Sequence, residues 1–423
     1  MSKLSRRTFL GALALPAVPA AVAGPATADP ATADPQASSP QQGEEKFWAA
    51  VREQFAIPAG ETFFNTCTLG AMPRPVLEAV TEHMRQAQVT LAHWDYRPEN
   101  PDWFSGYRPE LELRRKLAAV INAEAAEVAL TQNATFGMNF LAHGLRLQAG
   151  DEVLATDQEH PGGRCGWELR VKRDGIVWKP LPIGESPDEI VETFARAITP
   201  RTRVLAVPHI TSALGIVMPV KRLCALARQR GLLSFIDGAQ AVGQLRVDVG
   251  DLGCDAYYSS PHKWLLAPPG SGLLYVRRDR LPQLWTTLAS GQWDNHKDGA
   301  FRLMQYGTGN LSLLKGFEAA VDFHTRLGPA RIEQRILGLA NRLRAGLRAI
   351  SGVVIHSRLH PELAGATTNW GLRGLTGHQI MDEMWKRERI RVRAVGEGVR
   401  QCCHIYNSPA DIDRTLEVAR SLV

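Results

Sequence analysis

A chain of 423 residues, 44% hydrophobic and 22% charged, is globular in composition and long enough for a large α/β domain with a smaller companion. Its formal charge of +6 owes half to the N-terminus: without Lys3, Arg6 and Arg7 the 49 basic residues fall to 46, against 43 acidic ones. That near-balance gives no basic surface for nucleic acid, and beyond the N-terminus no apolar run is long enough to span a bilayer.

Residues 1–28 read as an export leader, with a basic start, a short apolar centre and small-residue endings at Ala21-Val22-Ala23 and Ala26-Thr27-Ala28. The adjacent arginines of "SRRTFL" resemble the twin-arginine export signal, whose machinery carries proteins that have already folded, often around a cofactor. No cysteine lies near either ending, so no lipid anchor is expected after processing. Residues 29–46, with a repeated Ala-Thr-Ala-Asp-Pro, read as a disordered linker, and folded structure is expected from Phe47. "RPVLEAVTEHMRQAQVTLAHW" and "PELELRRKLAAVI" have the apolar spacing of amphipathic helices, the second opened by Pro109. From residue 128 short apolar runs alternate with helical stretches. Strands are predicted in "EVALT", "DEVLAT", "GIVWKPLP", "TRVLAVPHI", "LLSFIDGAQ", "AYYSS" and "SGLLYVRR", and helices over 135–147, 161–173, 187–198 and 219–230. This is an α/β pattern, a mostly parallel seven-stranded sheet covered on both faces. Further on, "IEQRILGLANRLRAGLRAI" is a helix, "GVVIHS" a strand, and "HQIMDEMWKRERIRVRAV" a helix running into a strand. The expected division is a large domain over 47–315, of which 47–65 can pack on its neighbour, and a smaller α+β domain over 316–423.

In such a sheet ligands sit beyond the carboxyl ends of the strands. In "YYSSPHKWLLAPPGSGLLYV", residues 257–276, Lys263 stands between a strand and a Pro/Gly turn with Trp264, Leu265 and Leu266 behind it. A partly buried lysine titrates early and is a candidate for Schiff-base chemistry. Asn133, Ala134 and Thr135 lie where a helix opens, which makes either a phosphate cradle or a simple N-cap. Asp237 ends an apolar strand, where it either caps a turn or pairs with a protonated ring nitrogen. His160 precedes Pro-Gly-Gly, as a turn residue or a flat ring to stack on a flat ligand; Thr211 and Ser212 follow another strand in a turn of small residues. Six cysteines show no zinc-like spacing, and neither a metal site nor an essential disulfide is expected.

Order and combination say more than any single position. The segments "NATFGMN", "QEHPGG", "PHITSALGIVMPV", "FIDGAQAVGQ", "SSPHKWLLAPPGSGLLYVRR", "YGTGN" and "HIYNSPADIDR" resemble the class V aminotransferases, enzymes of the pyridoxal-phosphate fold type I. The resemblance runs from near Phe63 to the C-terminus and is nearest the isopenicillin N epimerase-like group. It implies that Lys263 forms the imine with pyridoxal phosphate, that Asp237 keeps the pyridine nitrogen protonated, and that His160 stacks on the ring. Gln240 is implied to reach the phenolic oxygen, with Ser212 nearby, at the place where the desulfurase branch has asparagine. Asn133, Ala134, Thr135, the backbone of Phe136 and Gly137, Ser260 and His262 are implied to hold the phosphate. Thr308 is implied to reach the phosphate of a neighbouring subunit, hence a homodimer, and Arg400 to bind the substrate carboxylate.

Desulfurases of this family carry a nucleophilic cysteine on a loop upstream of that arginine. The matching region here offers Trp385, and no cysteine lies between Cys254 and Cys402, so persulfide chemistry is expected to lack its acceptor. Cys402 and Cys403 read as packing residues in a strand. The expectation is an exported enzyme acting at the α-carbon of an amino-acid or peptide-like amine, of aminotransferase or epimerase type. The alternatives are a carbon–sulfur lyase or desulfurase-like enzyme, and a protein that binds cofactor or ligand without turnover. Trp94, Tyr107 and Trp293 are candidates for the pocket lining.

Overall fold

The computed structural model describes residues 40–90 and 111–423; the expected leader, with Trp94, Tyr107 and Pro109, lies outside the described residues. The expected linker ends sooner than the sequence reading placed it, because helix Pro40–Arg52 takes in residues 40–46. Glu44 and Glu45 pair with Arg331 and Arg335, and Trp48 and Val51 share an apolar cluster with Ile332 and Ile336. Tertiary partners thus order a stretch whose composition looked unstructured.

A short strand β1 (Thr62–Phe63) precedes helix Arg74–Val89 and helix Leu111–Ile121. The large sheet then takes β2 (Val128–Thr131), β3 (Glu152–Thr156), β4 (Val177–Leu181), β5 (Thr202–Pro208), β6 (Leu233–Asp237), β7 (Ala256–Ser259) and β8 (Gly272–Val276). Its seven strands run in the order β2-β8-β7-β6-β5-β3-β4, with β8 antiparallel to both neighbours and the others sharing one direction. Successive residues point to opposite faces. In β5, Leu205 and Val207 join one core while Val204 and Ala206 join the other. Both faces are covered, by helices Ala134–Gly144, Pro161–Asp174, Pro187–Ala197 and Val220–Gln229 among others, which is why these strands read as nearly continuous apolar runs. Gly137 lets its helix lie close on the sheet, since a Cβ there would meet Tyr258 Cβ at 2.6 Å.

The domain boundary expected at 315/316 is also corrected. Helix Leu311–Leu327 runs through it, packs on helix Arg74–Val89, and sends Phe317, Ala320 and Val321 into the large-sheet core. The change of architecture follows at Gly328, whose φ of +88° breaks the chain before helix Pro329–Arg348. Beyond lie β9 (Val353–Ile355), β10 (Thr367–Leu372), β11 (Ile390–Arg391), β12 (Arg393–Val395) and β13 (Gly398–Cys402), with helices Gly377–Glu388 and Pro409–Ser421. The small sheet is antiparallel in the order β12-β13-β10-β9, while β11 pairs in parallel with β1. Glu44 to Val423 form one compact unit.

Candidate active site

Pairing of Pro208 with Asp237, and of Asp237 with Tyr258, puts the carboxyl ends of β5, β6 and β7 side by side in mid-sheet. The loops leaving those ends, the start of helix Ala134–Gly144, residues 67–68 and strands β12 and β13 enclose a cavity of about 460 Å³. Asn133, Ala134, Thr135, His160, Ser212, Asp237, Gln240, Ser260, His262, Lys263 and Arg400 all line it.

Lys263 follows β7 in a tight loop closed by its own N–H to Ser260 O (3.1 Å) and by Ala267 N–H to Pro261 O (3.1 Å). Leu266 takes a left-handed φ of +61°, a conformation held by burial of Trp264, Leu265, Leu266 and Ala267. Residues 65–70 press on this loop. Gly70 N–H donates to His262 O (2.9 Å), and a Cβ at Gly70 would fall 2.0 Å from Lys263 O. Burial pushes the Lys263 ammonium below the ordinary lysine value, Asp237 and Cys67 opposing and Arg400 reinforcing.

Asp237 is 7% exposed; its Oδ1 accepts from Ala239 N–H (2.8 Å), and its Oδ2 accepts no hydrogen bond from the described residues. Burial raises its pKa, with Ala239 N–H and Lys263 pulling the other way. His160 caps helix Pro161–Asp174, its Nδ1 accepting from Gly162 N–H (3.0 Å), which fixes the ring at the cavity wall. Burial, then Lys263 and Arg400, lower its pKa and keep it neutral near pH 7. Asn133 Oδ1 caps Phe136 N–H (3.1 Å) and Ser260 Oγ accepts from Ala134 N–H (2.9 Å). His262 Nδ1 is buried without a partner, and burial with Lys263 pushes its pKa down to about 4. Gln240 is tied at both ends, Oε1 to Trp264 Nε1–H (2.7 Å) and Nε2–H to Cys67 O (3.1 Å), leaving one amide hydrogen for the cavity. Arg400, 5% exposed, donates from Nη1 to Ser212 O (2.8 Å) and from Nη2 to Asn65 Oδ1 (3.1 Å) and Thr68 Oγ1 (2.9 Å).

Some expectations need correction. Phe136 does not line the cavity: its N–H is consumed by the Asn133 cap and its ring packs with Phe140 and Tyr306. Thr308, expected at a neighbouring subunit's phosphate rather than its own, is exposed and does not line its own chain's cavity. Trp293, 42% exposed, lines a separate depression with Trp285. Thr211 is a turn residue, its Oγ1 accepting from Ile216 N–H (3.0 Å). A thiol does reach the site: Cys67 lines it, 3% exposed, its Sγ 3.2 Å from Thr367 Oγ1. Although burial opposes ionisation, a hydrogen bond with Cys402 and the charges of Arg400 and Lys263 hold the Cys67 thiol down at about 6, and Cys402 moves up instead. Trp385, in the region matched to the desulfurase loop, lies in helix Gly377–Glu388, and Gly396 and Glu397 alone join β12 to β13. Sequence reasoning also passed over Asn65, Thr68 and Arg393, and over Glu159, whose carboxyl burial raises to about 8 with Asp237 adding and Thr156 opposing. The signal for residues 65–68 was present in "FFNTCTLG", small polar residues between an aromatic pair and a glycine.

A family described as Aminotransferase class-V matches residues 107–419. The chain belongs to the class-V aminotransferase family. It is 34% identical over 402 residues to isopenicillin N epimerase of Amycolatopsis lactamdurans, covering 89% of this chain and 98% of that protein. To a "probable cysteine desulfurase" of Methanothermobacter thermautotrophicus it is 26% identical over 385 residues, covering 86% and 94%. Among solved structures, a C-DES variant with glycine covalently linked to its PLP cofactor superposes with a TM-score of 0.76 at 25% identity, covering 87% of this chain and 98% of that one. The fold is that of the fold-type I pyridoxal-phosphate enzymes, and the cofactor is pyridoxal phosphate.

The residues present fit that group. Asp237 Oδ2 has open lone pairs for a ring N–H, and Thr135 and Ser260 bring hydroxyl donors to the helix opening at Asn133, where a phosphate needs them. The orphaned His262 Nδ1 beside them donates once the phosphate's charge has protonated that ring. Gly162 and Gly163 leave the space: Cβ atoms there would lie 2.5 Å from Thr135 Oγ1 and 3.0 Å from Asp237 Oδ2.

Proposed function

We propose that this PLP-dependent class V enzyme acts at the α-carbon of an amino-acid or peptide-like amine bearing a carboxylate, by epimerisation or transamination. The observation that carries the reading is the convergence of Lys263, Asp237 and Arg400 on one cavity. Bound pyridoxal phosphate supplies an electron sink for the α-carbon. Lys263, with its pKa lowered by burial, takes and returns the α-proton. Asp237 holds positive charge at the ring nitrogen, and His160 covers the ring face. Asn133, Ala134, Thr135, Ser260 and His262 anchor the phosphate, and Gln240 and Ser212 border the ring. Arg400 orients the carboxylate with the planar fork that lysine lacks. The 34% identity to an isopenicillin N epimerase over nearly the whole chain supports the epimerase side.

The test is incubation of holoenzyme with free and peptidic amino acids in deuterated buffer, followed by chiral chromatography and mass spectrometry. Deuterium at the α-carbon with inversion supports epimerisation; amine loss supports transamination. No exchange with any amine would leave a binding protein without turnover.

A second reading, a carbon–sulfur lyase or desulfurase, is favoured by Cys67 in the cavity and by the desulfurase relatives. Release of sulfide or pyruvate from cysteine or cystine, with no exchange on sulfur-free amines, would put it first. Export by the twin-arginine route and a homodimer in which Thr308 reaches the neighbour's phosphate complete the proposal. A leader–reporter fusion and light scattering test them.

A further inference from the structure

The cavity is unbalanced in charge. Lys263, Arg393 and Arg400 line it, and Asp237 is the one carboxylate among its lining residues. Lys263 and Asp237 are engaged by the cofactor in the reading proposed above, which leaves two arginines. They are direct cross-strand partners, Arg393 of β12 opposite Arg400 of β13. Their side chains meet as well: Arg393 Nη1 lies 3.0 Å and Arg400 Nη2 2.9 Å from the same Thr68 hydroxyl oxygen. Like charges placed directly opposite repel. Neither guanidinium has a carboxylate partner among the described residues, and Arg400 Nε is buried without any partner. The two also differ in depth. Arg400 is 5% exposed, with Ser212, Asn65 and Thr68 already holding both terminal nitrogens, while Arg393 stands exposed at the rim with its single bond to Thr68.

We propose that Arg393 forms a second anion subsite, so that the substrate carries, besides the α-carboxylate bound by Arg400, a carboxylate further along its side chain or at the end of a peptide. This rests on the α-carbon reading for the place of the first carboxylate. It deepens that reading by naming the substrate class, acidic amines with two carboxylates. Depth separates the roles: the buried arginine serves the group nearest Lys263, and the rim arginine serves a group several bonds away. Thr68, donating to neither, holds both forks in register. The α-carboxylate on Arg400 leaves the Arg393 charge uncompensated and a second carboxylate neutralises it, so binding is selective for the dianion over its isostere.

The test measures affinity of holoenzyme, by absorbance titration, for aspartate, glutamate and 2-aminoadipate, each against its ω-amide. At least one acid is expected to bind tenfold or more tightly than its amide, as a charge-assisted hydrogen bond warrants. Arg393→Gln erases that preference and Arg393→Lys keeps part of it, the acid's KM rising with little change in kcat. Dicarboxylates without an amine, glutarate and adipate, are expected to raise the Tm of the wild type more than butyrate and pentanoate do, and not that of Arg393→Gln. No acid outbinding its amide, or a preference that survives Arg393→Gln, overturns the subsite. If no amine alters the absorbance while glutarate or adipate still shifts the Tm through Arg393, the α-carbon chemistry fails and the subsite stands.

Discussion

Replacing Asp237 by Asn is expected to move apoprotein stability and cofactor function in opposite directions. The carboxylate is 7% exposed and its pKa is raised by burial, so its charge costs the empty protein stability. That penalty is full above the raised native pKa and vanishes as pH falls below the ordinary value of 3.8. Asn keeps the acceptor for Ala239 N–H, at 2.8 Å in the native protein, so the β6 turn survives. At pH 7 the apo variant should therefore melt at or above the wild-type temperature. The bound state loses an ion pair with the ring nitrogen. Such a pair shifts a pKa by roughly 1–3 units at about 1.4 kcal/mol each, so about 1.4–4 kcal/mol, or roughly tenfold to a thousandfold, is at stake. Calorimetry of the apoprotein, absorbance titration with pyridoxal phosphate and turnover of the loaded variant measure the two effects. An apo variant that melts several degrees lower, or cofactor affinity and turnover both within threefold of wild type, would refute the reasoning.

Three further outcomes follow from the site. Arg400→Lys keeps the charge but not the fork, and should raise KM for carboxylated substrates by roughly tenfold or more with a smaller effect on kcat; an unchanged KM takes Arg400 out of the substrate site. Gly70→Ala forces a methyl to within 2.0 Å of Lys263 O unless the backbone moves, so a loss of about 1–3 kcal/mol in stability and slow, incomplete cofactor loading are expected by calorimetry and absorbance. Against burial, the hydrogen bond with Cys402 and the charges of Arg400 and Lys263 lower the Cys67 thiol, which predicts a thiolate at neutrality. Its alkylation by iodoacetamide, followed by mass spectrometry of the apoprotein, should level off above pH 7; a rate still climbing through pH 9 would mean an ordinary thiol.

The large sheet could be read from the chain because its strands are buried on both faces and stand out as apolar runs between helices. Asp237, His160 and Lys263 could be read because each follows such a run directly. What escaped lies off those strand ends. Residues 65–68 follow β1, whose pairing with β11 far along the chain is two residues long and has no local signal. Arg393 looks like one more charge in "RERIRVRAV" until β12 folds back on β13 and sets it against Arg400. Helix Leu311–Leu327 was missed because its buried face docks on helices Arg74–Val89 and Leu111–Ile121 rather than following the alternating rhythm upstream. Helical residues 40–46 gave no local sign either, since the arginines that pair with Glu44 and Glu45 lie beyond residue 330.

The central claim, that Lys263 Nζ carries the cofactor, is tested most directly by borohydride reduction of the holoprotein and mass spectrometry of its peptides. The account predicts a single reduced pyridoxyl-phosphate adduct on Lys263, and none at any position in Lys263→Ala. An adduct on a different lysine, or none in protein saturated with the cofactor, would contradict it.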